Sequence, residues 1–309
     1  MTRGAPWGRG RRLPAARPPF QSPTVAALAI VATALLLAAQ AAAPADAPGA
    51  AGPGATGAGD LAAVKARGTL VMLTYPVQGT HFIAVDLDAA RAAGLKLGEL
   101  RRPKHFKGID VELMSGFARS LGVALEIHPI AGGYGALLPA LNSRLGDLVA
   151  SEFTITPKRL AQAAFSRPYV SNWIAVVVRR DSTIGAPADL NGKLGAVLSG
   201  SSHVEFVTAA APGVKIHPTA FDLESLAAVE ERTTAFALMD TGAPPGEPVD
   251  ALHPDLKVAF RLHNVGDGIA VRKGSDLLPP LDAYLAALDS SGELERILDR
   301  NQFHPQPKR

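Results

Sequence analysis

The chain has 309 residues, of which 47% are hydrophobic and 19% charged, so it can bury a core and is not a disordered protein. Cysteine is absent, which excludes disulfides, thiolate metal sites and a lipid-anchored cysteine behind a leader. The whole chain has 31 basic and 28 acidic residues, a net charge of +3, but five of the arginines lie in residues 1–43. Without those five, 26 basic residues stand against 28 acidic ones, a net charge of −2. This balance argues against nucleic-acid binding.

The first 43 residues have the order of a secretory signal peptide. Arginine-rich residues 3–17 precede the apolar run Val25–Leu37, alanines continue to Ala43, and Ala39-Gln40-Ala41 is a plausible cleavage site. We therefore expect residues 1–43 to be cleaved and the protein to be periplasmic. Val25–Ala43 has 19 residues, enough for an uncleaved membrane anchor, which is the alternative. Residues 44–60, rich in Ala, Pro and Gly, are predicted to form a flexible linker.

From Leu61 onward, strand and helix patterns alternate. Thr69–Thr74 is apolar between Gly68 and Pro76, which is typical of a buried strand. Helices are predicted over Leu61–Arg67, Ile109–Leu121, Ala136–Asn142 and Pro157–Ala164, and Ala84–Lys96 has helix-forming composition. The other strands predicted in this half are Val123–Ile127, Asp147–Ser151 and Trp173–Val178.

A second cycle of alternation follows. The predicted helices are Ala186–Asn191, Ser202–Ala211, Asp222–Arg232, Leu277–Leu288 and Gly292–Arg300, and the predicted strands are Leu194–Leu198, Val214–His217, Ala235–Met239, Leu256–Leu262 and Gly268–Val271. Alternation with short connections predicts an α/β fold with a mostly parallel sheet. The proline-rich tail, residues 304–309, is predicted to be loose.

Five blocks of sequence carry a family resemblance. They are FKGIDVELMSGFARSLGV from Phe106, LLPALNSRLGDLVASEFTITPKRLAQAAFSRPY, LNGKLGAVLSGSS, GIAVRKGSDLL and GELERILDR. In this order and spacing, over residues 106–300, they resemble the amino-acid-type periplasmic solute-binding proteins, family 3, which are substrate-binding components of ABC transporters. Residues 77–105 match none of these blocks and look like an insertion.

The resemblance implies a two-lobed periplasmic-binding-protein fold of type II. Each lobe would be a mixed, mostly parallel sheet flanked by helices, and two hinge strands would join the lobes around a ligand cleft. Lobe 1 would comprise residues 61–170 plus 268–303, and lobe 2 residues 174–265. Hinge bending would concentrate at the crossovers Tyr169–Trp173 and Leu262–Asp267.

The resemblance also assigns ligand-binding residues. A free amino acid presents a carboxylate and an ammonium, and both need partners in a water-poor cleft. Arg159 would grip the carboxylate with its planar guanidinium, Thr154 would donate to the ligand, and Asp240, after a predicted strand, would pair with the ammonium. The alternatives are a solvated surface charge for Arg159, turn capping for Thr154 and an Asx-turn for Asp240.

Two further candidates lie at predicted strand–helix connections. Ser199, Gly200, Ser201 and Ser202 form a turn that could hold the carboxylate from lobe 2, whereas simple helix capping is the alternative for Ser202. Tyr134 lies where the family often has an aromatic residue that stacks on the ligand, and a core position is its alternative.

Several positions depart from the family pattern. Glu152 stands where the family usually has a small residue, often glycine, and Tyr75 stands where some members keep an acid; Lys158 and Ala164 also differ. The Glu152 carboxylate could neutralise Arg159, meet a cationic ligand side chain or bond to the backbone. It favours a polar or basic amino acid as the ligand.

The resemblance implies binding without catalysis and delivery to a membrane-embedded ABC permease. We expect a monomer that needs no cofactor and no metal, since the eight histidines are scattered. Because some relatives are periplasmic dehydratases, an enzyme is the alternative, with Glu152 and His203 as acid and base, although His203 is expected at the surface of a helix N-terminus. Other relatives carry a peptidoglycan-cleaving domain, which we do not expect in a sequence ending at Arg309. A ligand-binding sensory module, favoured by an uncleaved leader, is the third possibility.

Overall fold

The computed structural model describes residues 59–75, 81–96, 99–241, 245–247, 249 and 253–303. The predicted signal peptide 1–43, the linker up to residue 58 and the tail 304–309 lie outside these described residues. Within the described part of the chain, no helix combines the length and the hydrophobicity that a membrane span requires.

The described strands form two five-stranded sheets and a short ribbon. In chain order they are β1 (Thr69–Thr74), β2 (Ala84–Val85), β3 (Phe106–Lys107), β4 (Ala124–Pro129), β5 (Leu148–Val149), β6 (Ala164–Phe165), β7 (Val170–Arg179), β8 (Leu194–Leu198), β9 (Lys215–Thr219), β10 (Phe236–Asp240), β11 (Leu256–Asp267) and β12 (Ala270–Val271). The first sheet has the order β4-β1-β5-β12-β6, the second has the order β11-β7-β10-β8-β9, and β2 pairs with β3 in the ribbon.

Helices cover both sheets. In chain order the described α-helices are α1 (Asp60–Arg67), α2 (Leu87–Ala92), α3 (Ile109–Ser120), α4 (Leu137–Asn142), α5 (Pro157–Leu160), α6 (His203–Ala210), α7 (Asp222–Glu230), α8 (Leu278–Ser290) and α9 (Glu293–Arg300). Short 3₁₀ turns occupy Pro103–His105, Tyr134–Ala136 and Pro187–Leu190.

Both sheets are mixed, as the predicted fold class requires. Each has two parallel and two antiparallel pairings among its described strands, so the expectation that parallel pairing would dominate is corrected to equal shares. The reason lies in the chain path. In the first sheet, the returning strand β12 runs antiparallel to β5 and β6, and in the second sheet β7 runs antiparallel to β10 and β11.

Strands β7 and β11 connect the two sheets. Among the described strands, the first four residues of β7, Val170–Trp173, pair with Asn264–Asp267 of β11 alone, whereas β10 joins β7 from Ile174 onward. The predicted crossovers coincide with this two-stranded hinge ribbon. We call the first sheet with its helices lobe 1 and the second sheet with its helices lobe 2, while the exact boundaries of the lobes stay a prediction.

Two predicted helices are shorter than expected. The helix that begins at Pro157 ends at Leu160 and not at Ala164, because Ala164 and Phe165 pair with β12 as an edge strand. Only the middle of Ala84–Lys96 is helical, because its first two residues form β2 and the Asp86 side chain then caps α2 by accepting from the Ala89 N–H at 2.9 Å.

The alternating pattern of β7 explains why both faces of the second sheet are covered. Ile174, Val176 and Val178 lie in one buried cluster, and Val177 lies in a second cluster with Leu226 of α7. Successive side chains of a strand point to opposite faces, so an uninterrupted apolar run needs packing partners on both sides.

Asp60 is the first residue of α1 and is buried, so it belongs to the fold and not to the predicted linker 44–60. Two nitrogens of Arg272 meet its carboxylate, with Nη2 at 2.9 Å from Oδ1 and Nε at 3.1 Å from Oδ2. The Ser275 hydroxyl also donates to Oδ2, at 2.7 Å. Because Arg272 directly follows β12, this buried pair ties the start of the described fold to the strand that returns from lobe 2.

Replacing Asp60 with Ala would leave the buried Arg272 guanidinium without its carboxylate, so we expect the free energy of unfolding to fall by about 3–5 kcal/mol. Asp88→Ala is the matched control, since the Asp88 side chain is 96% exposed and its pair with Arg91 should contribute little. Urea denaturation of both variants measures the difference. Equal losses would contradict a structural role for the buried pair.

Candidate functional site

A cavity of about 390 Å³ lies between the two lobes. Seven of the ten predicted ligand-binding residues line it: Tyr134, Glu152, Thr154 and Arg159 from lobe 1, and Ser201, Ser202 and Asp240 from lobe 2. Lobe 2 adds His203 and Asp222, the hinge ribbon adds Asn172, and Leu198, Leu226 and Met239 supply apolar wall.

Arg159 is held at the cavity wall by its local sequence. Thr156 caps the short helix α5 by accepting from the Arg159 N–H at 3.2 Å, and Pro157 occupies the first turn, where its missing N–H costs nothing. The Arg159 Nη1 donates to the Thr154 carbonyl at 2.8 Å, and its Cζ lies 3.8 Å from the centre of the Phe153 ring. Burial lowers the pKa of Arg159 to about 10, so the guanidinium stays charged at neutral pH. A fixed, buried cation therefore faces the cavity.

Glu152 has an unusual backbone conformation. Its φ of 48° lies in the left-handed region, which disfavours residues with a side chain. The Asp110 carboxylate holds this turn, because Oδ2 accepts from the Glu152 N–H at 2.8 Å and Oδ1 accepts from the Tyr169 hydroxyl. The conformation explains why the family pattern favours glycine at this position, and it leaves open why this chain has a glutamate there.

Three buried carboxyl groups at or near the cavity have raised pKa values. Burial, followed by the charge of Asp240, raises the pKa of Glu152 well above its usual range and that of Asp267 to about 8. Burial also raises the pKa of Asp222 to about 6, although the nearby His203 partly opposes this. These carboxyl groups therefore hold their protons more tightly than exposed ones, and a bound cation would lower their pKa values.

His203 is buried and lines the cavity, so the expectation that it is a surface residue is wrong. Its Nε2 lies 3.0 Å from Asp240 Oδ2. Burial alone lowers the pKa of His203, but Asp240 and Asp222 together raise it above its usual value. The local sequence could not reveal this burial, because it depends on a distant strand. Asp240, the last residue of β10, contacts His203 at the start of α6. Ser202 precedes α6, but its side chain makes no capping hydrogen bond.

The other three predicted residues lie where the lobes touch. The Tyr75 hydroxyl of lobe 1 donates to the Ala220 carbonyl of lobe 2 at 3.1 Å. Ser199 is exposed, and its carbonyl oxygen lies 3.2 Å from the position that a Cβ on Gly133 of lobe 1 would occupy. Gly200 lines a second cavity of about 800 Å³ on the other side of Arg159. These three residues thus lie near the contact between the lobes and are not among the residues that line the cavity of about 390 Å³.

Some residues that line the cavity were not predicted from the sequence. Asp222 begins the helix that follows β9, so the rule that ligands bind at the carboxyl ends of strands could have found it. His81, from the predicted insertion, and Phe303, near the C-terminal end, meet at the cavity with their ring centres 6.0 Å apart. No local pattern relates such distant segments, since only tertiary packing brings them together.

Residues 99–303 match the family described as bacterial extracellular solute-binding proteins, family 3. The chain belongs to this family. Among the described residues of this solute-binding protein, no group of three or more His, Asp or Glu side chains could hold a metal ion.

Similar proteins fall into two kinds. Membrane-bound lytic murein transglycosylase F of Pseudomonas savastanoi pv. phaseolicola is 32% identical over 207 residues, and the match covers 64% of this chain but 41% of that protein. The chain thus spans less than half the length of this relative. Arginine-binding extracellular protein ArtP of Bacillus subtilis is 28% identical over 210 residues, with 67% of this chain and 82% of that protein covered.

A solved structure supports the two-lobed fold. The crystal structure of a mutant of ArgBP from T. maritima has a TM-score of 0.64 and 26% sequence identity, and the alignment covers 78% of this chain and 97% of that chain. The predicted family and fold class are confirmed.

Gly200 allows close approach of the lobes. It has a φ of 72°, and a Cβ placed there would lie 2.6 Å from the backbone nitrogen of Gly135 in lobe 1. We expect Gly200→Ala to hold the lobes apart and to increase the radius of gyration measured by small-angle X-ray scattering. Gly192→Ala is the matched control, because Gly192 has a similar φ of 75° with no atom within 4 Å of its Cβ position. Identical scattering from the two variants would contradict the proposed clash.

The raised pKa of Asp267 predicts a pH dependence of stability. The folded protein keeps this proton up to about pH 8, whereas the unfolded chain loses it near pH 4, so the free energy of unfolding falls as pH rises through this window. Asp267→Asn removes this titration. As the pH rises through the window, we expect the free energy of unfolding of Asp267→Asn to fall less than that of the wild type, and the two falls should differ by on the order of a few kcal/mol. The measurement is urea denaturation at several pH values in the window.

Asp88→Asn is the control for this pH series, because its side chain is 96% exposed and should keep the wild-type slope. Parallel profiles for Asp267→Asn and the wild type would show that Asp267 does not titrate in this range.

Proposed function

We propose that this protein captures a free amino acid in the periplasm, after export by a cleaved signal peptide, and delivers it to an ABC-type membrane transporter without catalysing a reaction. One observation carries the proposal: Arg159 from lobe 1 and Asp240 from lobe 2 line the same cavity. A positive pole and a negative pole on facing walls suit the carboxylate and the ammonium of an α-amino acid.

The lobes give this binding its physical consequence. A ligand that contacts Arg159 and Asp240 together can satisfy both only when the lobes are close, so its binding free energy favours the closed state. The hinge ribbon is the segment in which two antiparallel strands alone connect the sheets, and bending concentrates in such segments. A permease that recognises the closed state would then receive loaded protein in preference to empty protein.

Several findings support the ligand class. The cavity of about 390 Å³ falls in the range that small-molecule sites occupy. ArtP, which aligns over most of its length, is named as an arginine-binding protein. The family consists of extracellular solute-binding proteins, which agrees with capture outside the cytoplasm.

A dehydratase-like enzyme on the same scaffold is the second candidate. It is favoured by the presence of Glu152 and His203, possible acid and base, in one cavity. Incubation of the purified protein with cyclohexadienyl acids tests this candidate. Product formation at a rate that falls in His203→Gln would favour the enzyme over the binding protein.

A thermal-shift screen against the common amino acids tests the binding proposal. A ligand that binds only the folded form raises the melting temperature, with about 2.7 kcal/mol of stabilisation at a concentration 100 times its Kd. We expect at least one amino acid to shift the wild type and to lose this effect in Arg159→Ala. Arg91→Ala, which changes a surface arginine with a side chain 78% exposed, should keep the shift. The proposal fails if no amino acid stabilises the wild type, or if Arg159→Ala responds like the wild type.

A further inference from the structure

Glu152 keeps a side chain where the backbone favours glycine. Its φ of 48° would suit glycine without strain, and neighbouring contacts enforce the conformation whatever the residue. Asp110 accepts from its N–H at 2.8 Å, the Ser151 hydroxyl before it contacts the Tyr75 backbone at 3.0 Å, and Thr154 after it forms a β-bridge with Asp267. The backbone therefore gives no reason for the glutamate. The reason must lie in its carboxylate, which lines the cavity.

Within the described ranges, the Glu152 carboxylate has no basic partner in an ion pair. Among the described residues, neither Glu152 nor Asp222 forms an ion pair with a basic side chain, although both line the cavity with Arg159 and His203. Arg159 is engaged by the Thr154 carbonyl and the Phe153 ring, and His203 is engaged by Asp240. Two acidic residues, one from each lobe, thus line the cavity without an ion pair in the described part of the chain.

Two buried polar atoms of lobe 2 residues that line the cavity lack hydrogen-bond partners among the described residues. Asp240 Oδ1 and His203 Nδ1 are buried and have no hydrogen-bond partner in the described part of the chain. His203 is 3% exposed and lines the cavity. Native proteins pair nearly all such atoms, so a molecule in the cavity is expected to satisfy them. Burial of Glu152 and Asp222 near Asp240 also raises their pKa values, which agrees with a missing cation.

We propose that Glu152 and Asp222 form a subsite, closed between the lobes, for the positively charged side chain of the bound amino acid. This inference rests on the proposed function: Arg159 takes the α-carboxylate and Asp240 Oδ1 the α-ammonium. The apolar wall of Leu198, Leu226 and Met239 suits the aliphatic stem that joins the two ends of such a ligand. The ligand class is therefore an amino acid with a guanidinium or ammonium side chain.

The test compares ligands that differ only in charge. Isothermal titration calorimetry of the wild type would use arginine and citrulline, in which a neutral urea group replaces the guanidinium. We expect arginine to bind at least about tenfold more tightly than citrulline. In Glu152→Gln and in Asp222→Asn this preference should shrink, with arginine weakened and citrulline nearly unchanged, because only the charged ligand loses a counter-ion.

A second variant separates specificity from folding. Glu152→Gly removes the carboxylate and relieves the left-handed strain, so the ligand-free melting temperature should rise while the preference for arginine falls. Glu231→Gln is the matched control, since Glu231 is an exposed acid that lines neither cavity and should leave the preference unchanged.

The outcomes distinguish the two proposals. If the wild type binds neither charged nor neutral amino acids, the proposed function fails and the subsite with it. If amino acids bind but citrulline equals arginine, or if Glu152→Gln keeps the full preference, the subsite is overturned while amino-acid binding stands.

Discussion

The constraint behind this structure is that every charge enclosed between the two lobes must find a partner. Arg159 of lobe 1 is buried and stays ionised, so it needs an anion, whereas acidic residues line the cavity from both lobes: Glu152 from lobe 1, and Asp222 and Asp240 from lobe 2. His203 contacts Asp240 Oδ2, and Asp240 Oδ1 has no hydrogen-bond partner among the residues that the structure describes. An uncompensated buried charge costs several kcal/mol, so a zwitterion with a further positive charge would suit these walls.

The same contacts connect the cavity to the hinge. Arg159 donates to the Thr154 carbonyl, and Thr154 forms an antiparallel bridge with Asp267, the last residue of β11. On the other strand of the ribbon, Asn172 lines the cavity directly. A ligand held by Arg159 is therefore two contacts away from the residues that must change conformation when the lobes move. This short path gives a physical basis for coupling between occupancy of the cavity and the angle of the lobes.

Sequence reasoning located the strands well, because apolar runs bounded by Gly and Pro are local signals: β1 occupies the predicted residues Thr69–Thr74. The family resemblance, through the motif Thr154-Ile155-Thr156-Pro157, also pointed to Arg159, and the structure places that residue at the cavity. Burial of His203 and the partnership of Asp60 with Arg272 were out of reach, because each depends on a segment distant in the chain. The prediction that parallel pairing would dominate was wrong for a similar reason. The direction of a strand that crosses between the lobes depends on the path of the chain and not on the strand's own residues.

Two left-handed positions at the cleft show how the fold divides space between backbone and side chain. At Gly200 the backbone of Gly135 approaches so closely that no Cβ fits, so closure of the lobes itself demands glycine. At Glu152 the backbone has a comparable left-handed φ, but the residue lines the cavity, and a partner for its carboxylate would offset the conformational cost. Glycine is thus required where the lobes must touch, whereas a strained charged residue is tolerated where the lobes must leave room for a ligand and recognise it.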